Sequence, residues 1–522
     1  MPRHRPDPER RRGSSDVAVT DLLPFGPGAW LFIGLYVFSL LFFGWFGYRA
    51  RGENTLRDFY IAGSGFGFLV LILTLYATQY SGNTLFGFTG KTYRIGYAWL
   101  MSVHFMIAIV IFYSLFAIPL HRMSQERGYV TPVDYLNDRY GSRAINLIAA
   151  VVMVLAVTNY LLAQLMAMGR AMQGLAGSHG DTAYRYGVIV LALIMVVYGT
   201  LGGLRAVAWS DVIQGGVLML GFLLLLAILE SQFGPLSGAT HIILSSPDPA
   251  QVRKVLPPTP ELQREWLSYV LMVGMGAALY PQAIQRIYAS RSERVLRQSM
   301  AVMAFLPFLT ALIAVIAGIY AIAYVPGLEG ADSDQVLTRL LRLIQEHSAM
   351  GYGLVVVMFA AILSAIMSTA DSALLSISSM LVKDVYAGFC NRSAAQADLT
   401  RLGKVLSWVL IFVLVILAIA LKEKASLITL LDRKFDILVQ LAPAFMLGIR
   451  WDRLRRGPVL AGLITGLAVA LVLAFGPFDF VVAGKVWGLH PGLFGLAANL
   501  LIAVGGSLRP PRRAPAASPA GL

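Results

Sequence analysis

The chain has 522 residues, of which 57% are hydrophobic and 13% charged, and its net charge is +14. This composition excludes a soluble domain, and the single cysteine, Cys390, excludes an intrachain disulfide and a cysteine-based metal site. Uncharged runs longer than about 18 residues predict transmembrane helices. We therefore interpret the positive charge as loops that face anionic lipid, and we expect a lipid bilayer and no nucleic acid as partner.

Hydropathy predicts an all-α membrane protein with about thirteen transmembrane helices. A polar tail at 1–28, rich in Arg and Pro, is expected to be disordered and is not a secretory signal. The approximate limits of the predicted spans are 29–48, 66–90, 96–120, 144–175, 185–203, 207–230, 266–288, 299–325, 350–382, 404–421, 425–449, 457–476 and 491–508.

The distribution of Lys and Arg predicts the orientation. Alternate connections are clearly the more basic set, and the set includes Arg286, Arg291, Arg294 and Arg297 at and after the end of the seventh span. Basic connections face the cytoplasm, so the C-terminus is expected inside and, with an odd number of spans, the N-terminus outside in the periplasm. The arginines of the N-terminal tail oppose this scheme. We expect a bacterial inner (plasma) membrane protein.

Two spans do not look like plain apolar helices. The second carries consecutive polar residues at mid-membrane, from Thr78 to Thr84, and they cannot all hide on one helical face. The seventh contains Pro281, which removes an amide and frees carbonyl groups one turn back. A backbone that leaves helical geometry in a membrane must be buried in protein or line a cavity. The alternative is two ordinary kinks caused by Pro and Gly.

Broken helices at matching positions in two halves indicate a secondary transporter built from inverted repeats. We therefore divide the chain into successive units: a tail at 1–28, an extra N-terminal helix at 29–48, a first repeat at 66–231, a second repeat at 266–449, two C-terminal helices at 457–508 and a cytoplasmic tail at 509–522.

The ninth span carries a stripe of small and hydroxyl residues. Ala365, Ser368, Thr369 and Ser372 are spaced so that they share one helical face. Hydroxyl oxygens are good ligands for a hard cation such as Na⁺. The alternative is close packing of helices, which small residues also favour.

Three segments resemble one family. Residues 77–82 (ATQYSG), 198–214 (YGTLGGLRAVAWSDVIQ) and 365–369 (AIMST) are similar to motifs of the sodium/solute symporter family and occur in the same order along the chain. Its members include bacterial proline, pantothenate, sialic acid, sugar and monocarboxylate transporters. The resemblance covers roughly 55–450 and implies a five-plus-five inverted-repeat core of the LeuT type.

The resemblance also implies ion sites. Na⁺ is the implied cofactor, with the backbone carbonyls of Ala77, Tyr80 and Ala365 and the side-chain oxygens of Ser368 and Thr369 as its ligands. Some relatives bind a second Na⁺, and the residues at the matching positions are Asp211, Ser368, Asp371 and Ser372. Those relatives carry a neutral Ser where this chain has Asp371. The alternative for Asp211 is a structural pair with a nearby arginine such as Arg205.

The solute site is expected near the midplane between the broken helices. Candidate lining residues are Gln79, Ser81, Asn83, Gln164, Tyr280 and Gln282. An interhelical hydrogen bond is the alternative for Gln164. The proline branch carries Asp at the position of Gln79, which disfavours proline, and residues 277–282 are most similar to the monocarboxylate branch.

The eleventh span has four charges at its outer end. Arg433 or Lys434 are candidates to receive a solute carboxylate, and the alternative is that they pair with Asp432 and Asp436. We expect a Na⁺-coupled symporter of a small carboxylate-bearing solute, such as a monocarboxylate, a pantothenate-like acid or an amino acid. A transporter-like solute sensor or partner subunit without net transport is the alternative. The charges form no hydrolase triad or phosphate loop, so we expect no enzyme.

Overall fold

The computed structural model describes residues 27–49, 55–175, 180–347, 349–422 and 427–508. The predictions for the two polar tails therefore lie outside the described residues, apart from the last two positions of the N-terminal one. The described chain is almost entirely helical, as predicted for an all-α membrane protein. Large apolar side chains such as Phe305, Phe412 and Leu501 are mostly exposed, as expected for surfaces that face lipid.

The helices up to residue 253 contain the predicted first repeat. They are α1 (Pro27–Arg49), α2 (Leu56–Ile61), α3 (Phe68–Gln79), α4 (Phe88–Ile95), α5 (Met101–Arg127), α6 (Pro132–Tyr140), α7 (Arg143–Leu175), α8 (Gly180–Phe233), α9 (Leu236–Leu244) and α10 (Pro249–Arg253). A π-helical turn at Asn83–Gly87 joins the break after α3 to α4. Short 3₁₀ turns lie at Ala62–Ser64 and Gly96–Leu100.

The helices from residue 260 onward contain the predicted second repeat and the C-terminal pair. They are α11 (Pro260–Ala278), α12 (Pro281–Ala289), α13 (Glu293–Met303), α14 (Leu306–Leu309), α15 (Ala311–Tyr324), α16 (Val336–His347), α17 (Ala349–Met380), α18 (Gln396–Ala420), α19 (Leu427–Leu438), α20 (Gly448–Arg450), α21 (Arg456–Phe475) and α22 (Pro491–Leu508). Strands β1 (Val481–Val482) and β2 (Lys485–Val486) form an antiparallel hairpin between α21 and α22.

Helix α8 contains two spans in series. It has 54 residues, which would measure about 80 Å if straight, whereas the bilayer core is about 30 Å thick. The helix breaks at Gly203, with φ +64° and ψ −157°. A Cβ there would lie 2.5 Å from the carbonyl oxygen of Phe59, so the Gly-Gly pair of the 198–214 motif permits both the turn and the close approach.

Both predicted breaks are present. Helix α3 ends at Gln79, and α11 and α12 meet at an angle of 49° around Leu279 and Tyr280. In the predicted division of the chain each broken pair is followed by four further spans, which is the order that a five-plus-five core requires. Within the described residues, eight helices are long and apolar enough to cross a membrane, and the bent pair is a ninth. The count of thirteen and the domain limits remain predictions.

Helix α17 lies at the centre of the molecule. In the span to which it contributes, Val355–Cys390, 94% of the most apolar window is buried, compared with 28% for α18. It packs against α3, α7, α8 and α12. The hydroxyl stripe therefore faces protein on all sides, which places it beside the break that follows α3.

Candidate ion and solute sites

The break after α3 exposes backbone groups beside α17. Tyr80 has an extended backbone, with φ −100° and ψ 104°, so its carbonyl leaves the helical hydrogen-bond pattern. The hydroxyl of Thr369 donates to the carbonyl of Ala77 at 3.3 Å and to that of Thr78 at 3.4 Å. The structure thus brings two of the predicted Na⁺ ligands, the Thr369 oxygen and the Ala77 carbonyl, into direct contact in a buried position.

Ser368 connects this region to a second polar cluster. Its hydroxyl donates to Oδ1 of Asp211 at 2.5 Å. Because the hydrogen points to the carboxylate, the lone pairs of the Ser368 oxygen remain available to a cation. Ala365 lies about one turn before Ser368 and Thr369 and is fully buried. The set of groups fits a Na⁺ ion that is held by neutral oxygens.

The partner of Asp211 is a buried arginine that the sequence did not identify. Nη2 of Arg286 lies 3.0 Å from Oδ2 of Asp211 and donates to the hydroxyl of Ser372 at 2.7 Å. Nε of Arg286 donates to the hydroxyl of Thr74 at 3.0 Å, and Thr74 itself donates to Asp211. Arg286 and Asp211 are 1% and 0% exposed, which is rare for charged residues.

The structure corrects two expectations about arginines. We counted Arg286 among the residues of a basic cytoplasmic connection, but it lies inside α12. The alternative that we gave for Asp211, a structural pair with an arginine, is present, but the partner is Arg286, and Arg205 pairs with Asp58 at 2.6 Å. An ionisable residue inside the predicted limits of the seventh span is a functional candidate by default, and that signal would have identified Arg286.

Asp371 lies outside the Arg286 network. Its Oδ2 accepts a hydrogen bond from Tyr198, and its Oδ1 has no hydrogen-bond partner in the described part of the chain. Asp371 also lines a small separate cavity with Gly199, Ser378 and Lys404. Of the predicted second ion site, Asp211, Ser368 and Ser372 are joined by hydrogen bonds, and Asp371 stands apart from them.

A cavity lies between the two broken helices. Four of the six predicted solute-site residues line it: Gln79, Ser81, Asn83 and Tyr280. The other lining residues are mainly apolar or aromatic, namely Thr84, Phe88, Phe105, Met106, Ile109, Tyr160, Val273, Ala277, Leu431, Lys434 and Phe435. Gln282 is buried nearby on α12, and its carbonyl accepts from Arg286.

The freed amides of the first break already have acceptors. Gln164 accepts a hydrogen bond from the amide of Gly82 at 3.1 Å, which is the interhelical role that we gave as its alternative. The hydroxyl of Ser81 accepts from the amide of Asn83 at 3.2 Å. By contrast, neither side-chain polar atom of Asn83 has a hydrogen-bond partner among the described residues. The Asn83 amide group is therefore free to bind a solute.

Lys434 is the one basic side chain among the described residues that line the cavity. It is 2% exposed, and its Nζ lies 3.5 Å from the ring centre of Tyr160, 5.3 Å from that of Tyr280 and 5.0 Å from that of Phe435. No hydrogen bond or ion pair to this ammonium is present in the described parts of the chain. Aromatic faces attract a cation, but they leave its N–H donors without oxygen acceptors.

Arg433 is directed away from the cavity. Its guanidinium lies 3.3 Å from the carboxylate of Asp436 and 5.4 Å from the ring centre of Phe475. Asp432 likewise accepts from the hydroxyl of Tyr269 and belongs to a separate cluster with Lys485 and His490. Arg433 and Lys434 were both candidates to bind a solute carboxylate, and only Lys434 lines the cavity.

The two broken helices contact each other on both sides of the cavity. On the side where α3 begins and α12 ends, the amide of Phe66 donates to the carbonyl of Ala289 at 2.9 Å. On the opposite side, Nζ of Lys91 on α4 lies 3.4 Å from a carboxylate oxygen of Glu265 on α11. Lys485 of the β-hairpin also pairs with Glu265, at 2.9 Å. The two broken helices are thus linked by contacts at both ends of the cavity.

Two broken helices that line one cavity within a bundle of apolar spans define an inverted-repeat secondary transporter of the LeuT type. A solved Na⁺-coupled sialic acid symporter in a substrate-bound, outward-open state has the same fold. The TM-score is 0.73, and the alignment covers 92% of this chain and 98% of that one at 18% sequence identity.

Sequence comparison identifies the family. The model of the sodium:solute symporter family matches residues 59–466. The chain is 25% identical to a sodium/proline symporter of Salmonella typhimurium (strain LT2), over 87% of this chain and 90% of that protein. It is also 25% identical to a sodium/pantothenate symporter of Haemophilus influenzae (strain Rd), over 86% and 91%.

The chain therefore belongs to the sodium:solute symporter family. It is an integral membrane transporter and not an enzyme, and Na⁺ is its coupling ion. The predictions of family, of fold class and of Na⁺ coupling are confirmed, and the sensor without net transport is not favoured. The residues assigned to the ion and solute sites remain predictions.

Proposed function

We propose that the protein imports a small carboxylate-bearing solute together with Na⁺ across the bacterial inner membrane, and that Lys434 binds the carboxylate. The observation that carries this proposal is the buried Lys434 ammonium without an acidic partner in the solute cavity. Burial of a charge is costly unless an opposite charge or hydrogen bonds compensate it. A solute carboxylate supplies both, because it accepts charge-assisted hydrogen bonds.

The cavity also favours a net anion within this class. None of the residues lining it, all in the described ranges, is Asp or Glu, so the ammonium of an amino acid would have no ionic partner there. The relatives above are described as proline and pantothenate symporters, and both of those solutes carry a carboxylate. We therefore place a monocarboxylate or a pantothenate-like acid before an amino acid.

Na⁺ and solute share the break after α3, which accounts for their coupling. We place Na⁺ among the carbonyls of Ala77, Tyr80 and Ala365 and the hydroxyls of Ser368 and Thr369. Ser81, the next residue after Tyr80, lines the solute cavity. A backbone held by the ion therefore also orders the solute site. Each ligand raises the affinity of the other by the same factor.

Thermal unfolding of the purified protein tests the solute class, because a ligand that binds the folded state raises the unfolding temperature. Lactate, pyruvate, pantothenate, proline and hexoses would be compared in Na⁺ and in choline. We expect stabilisation by at least one carboxylate in Na⁺ only. Matched neutral compounds, lactamide and pantothenol, should have no effect. Stabilisation by hexoses in Na⁺, and by no carboxylate, would contradict the proposal.

The proposed orientation has the C-terminus in the cytoplasm, and Cys390 offers a direct test. It is exposed and lies in the connection between α17 and α18, which is basic and therefore proposed to be cytoplasmic. A membrane-impermeant maleimide should label it in inverted vesicles and not in right-side-out spheroplasts. The Cys390→Ser variant controls for labelling of other proteins, and the opposite labelling pattern would reverse the orientation.

A further inference from the structure

We infer that the solute carries an apolar tail, and that this tail occupies a second cavity next to the one that contains Lys434. The inference deepens the proposed function and rests on it, because it takes the solute carboxylate to be bound by Lys434. It narrows the solute class to monocarboxylic acids with an aliphatic tail of several carbons, which are less polar than lactate or pantothenate.

The second cavity lies between α3, α5, α12 and α13 and the end of α11. Its lining residues are Leu75, Gln79, Tyr80, Met106, Ile109, Val110, Tyr113, Ala277, Ala283, Met300 and Met303. Four of them also line the cavity of Lys434, namely Gln79, Met106, Ile109 and Ala277. The two cavities are therefore direct neighbours, and a ligand of sufficient length can extend from one into the other.

The two cavities differ in polarity. The first contains the Lys434 ammonium and the free amide group of Asn83, and neither residue lines the second. Only three side chains of the second cavity contain nitrogen or oxygen: Gln79, Tyr80 and Tyr113. The Tyr113 hydroxyl already donates to the carbonyl of Ala283 at 2.9 Å. A carboxylate thus finds its partner in the first cavity, and an apolar tail finds its environment in the second.

Methionine side chains allow the second cavity to adapt to a tail. Met106, Met300 and Met303 all line it, and an unbranched thioether side chain adjusts readily to the shape of its neighbours. Met106 lies at the boundary, since it lines both cavities. A change of its rotamer can widen the passage between them without movement of a helix.

A lipid acyl chain is the rival occupant of the second cavity. Val302 precedes Met303 on α13 and is 40% exposed, so this helix borders the region where lipid is expected. A lipid chain would need neither Na⁺ nor Lys434 to bind. A solute tail requires both, because its carboxylate is bound beside the ion site.

A series of straight-chain acids tests the inference on the purified full-length protein. The dissociation constants of acetate, butyrate and hexanoate follow from the dependence of the unfolding temperature on ligand concentration in Na⁺. We expect affinity to rise about fourfold for each methylene group, until the tail fills the second cavity. The acids in choline, and neutral hexanamide in Na⁺, should have no effect.

Val110→Phe is the decisive variant, because Val110 lines the second cavity and not the first. The added ring fills the space of the tail, so the affinity for hexanoate should decrease on the order of tenfold, whereas that for acetate should stay near the wild-type value. Ile111→Phe is the matched control. Ile111 is the next residue on α5 and is 57% exposed, so this variant should retain the wild-type series.

Equal affinities for the three acids in the wild-type chain, or a decrease with tail length, would overturn the inference. A folded Val110→Phe variant that retains the wild-type series, or weakens acetate and hexanoate equally, would also overturn it. If Val110→Phe does not fold, Met303→Ala decides. The larger cavity should then favour a longer tail than in the wild type, and an unchanged preference contradicts the inference.

Two further outcomes separate this inference from the proposed function. Stabilisation by hexanoate that persists in choline and in Lys434→Gln would assign the second cavity to lipid-like chains and overturn the inference alone. If no acid of any length, lactate included, stabilises the protein in Na⁺, the proposed function itself fails.

Discussion

Replacement of both Ser368 and Thr369 by Ala is expected to lower the apparent Na⁺ affinity at least tenfold, which corresponds to about 1.4 kcal/mol. The change removes two hydroxyl oxygens from a site whose other proposed ligands are backbone carbonyls. No carboxylate belongs to that set, so the remaining groups cannot compensate for the loss. Radioactive Na⁺ binding and the Na⁺ dependence of solute uptake both measure this effect.

A hydroxyl one turn away on the same helix provides the control. Ser364 is buried and donates to the carbonyl of Ala360 at 2.8 Å, but it is not a proposed ligand. Ser364→Ala should therefore retain the wild-type Na⁺ affinity, although both variants remove buried hydroxyls from α17. The assignment would be refuted by a monodisperse double variant with an unchanged Na⁺ dependence.

Sequence reasoning located the main features of the fold because they interrupt otherwise apolar spans. Polar residues from Thr78 to Thr84 and the proline at 281 cannot be placed in plain lipid-facing helices, and both positions are breaks in the structure. The stripe at 365–372 was visible because its spacing matches one helical face. In each case a local sequence pattern was enough, because backbone polar groups inside a membrane must be hydrogen-bonded within the protein or line a cavity.

The parts that sequence reasoning did not predict depend on tertiary contacts. Asp211 and Arg286 are separated by 75 positions, and nothing local shows that Asp211 pairs with Arg286 and that Arg205 pairs with Asp58. Arg433 and Lys434 are adjacent in the chain and point about 100° apart on a helix. Only the packing of α19 against its neighbours decides which of them faces the cavity.

Lys434→Gln is expected to lower solute affinity by about 2 kcal/mol, or about thirtyfold, because it removes a charged hydrogen-bond donor from a buried site. Na⁺ binding measured without solute should change little, since Lys434 is not among the proposed Na⁺ ligands. The unfolding temperature without solute should remain equal or rise, because the variant removes a buried amino group that has no ion pair or hydrogen bond within the described residues. Uptake and thermal shift with the stabilising carboxylate measure these effects.

Arg433→Gln is the matched control, with the same change of charge one position earlier. Its guanidinium pairs with Asp436 outside the cavity, so solute affinity should stay near that of the wild type. A general effect of positive charge on α19 would weaken solute binding in both variants equally, whereas direct binding of the carboxylate weakens it only in Lys434→Gln. If Arg433→Gln loses affinity and Lys434→Gln does not, the carboxylate binds elsewhere, and the solute site must be moved towards the hairpin.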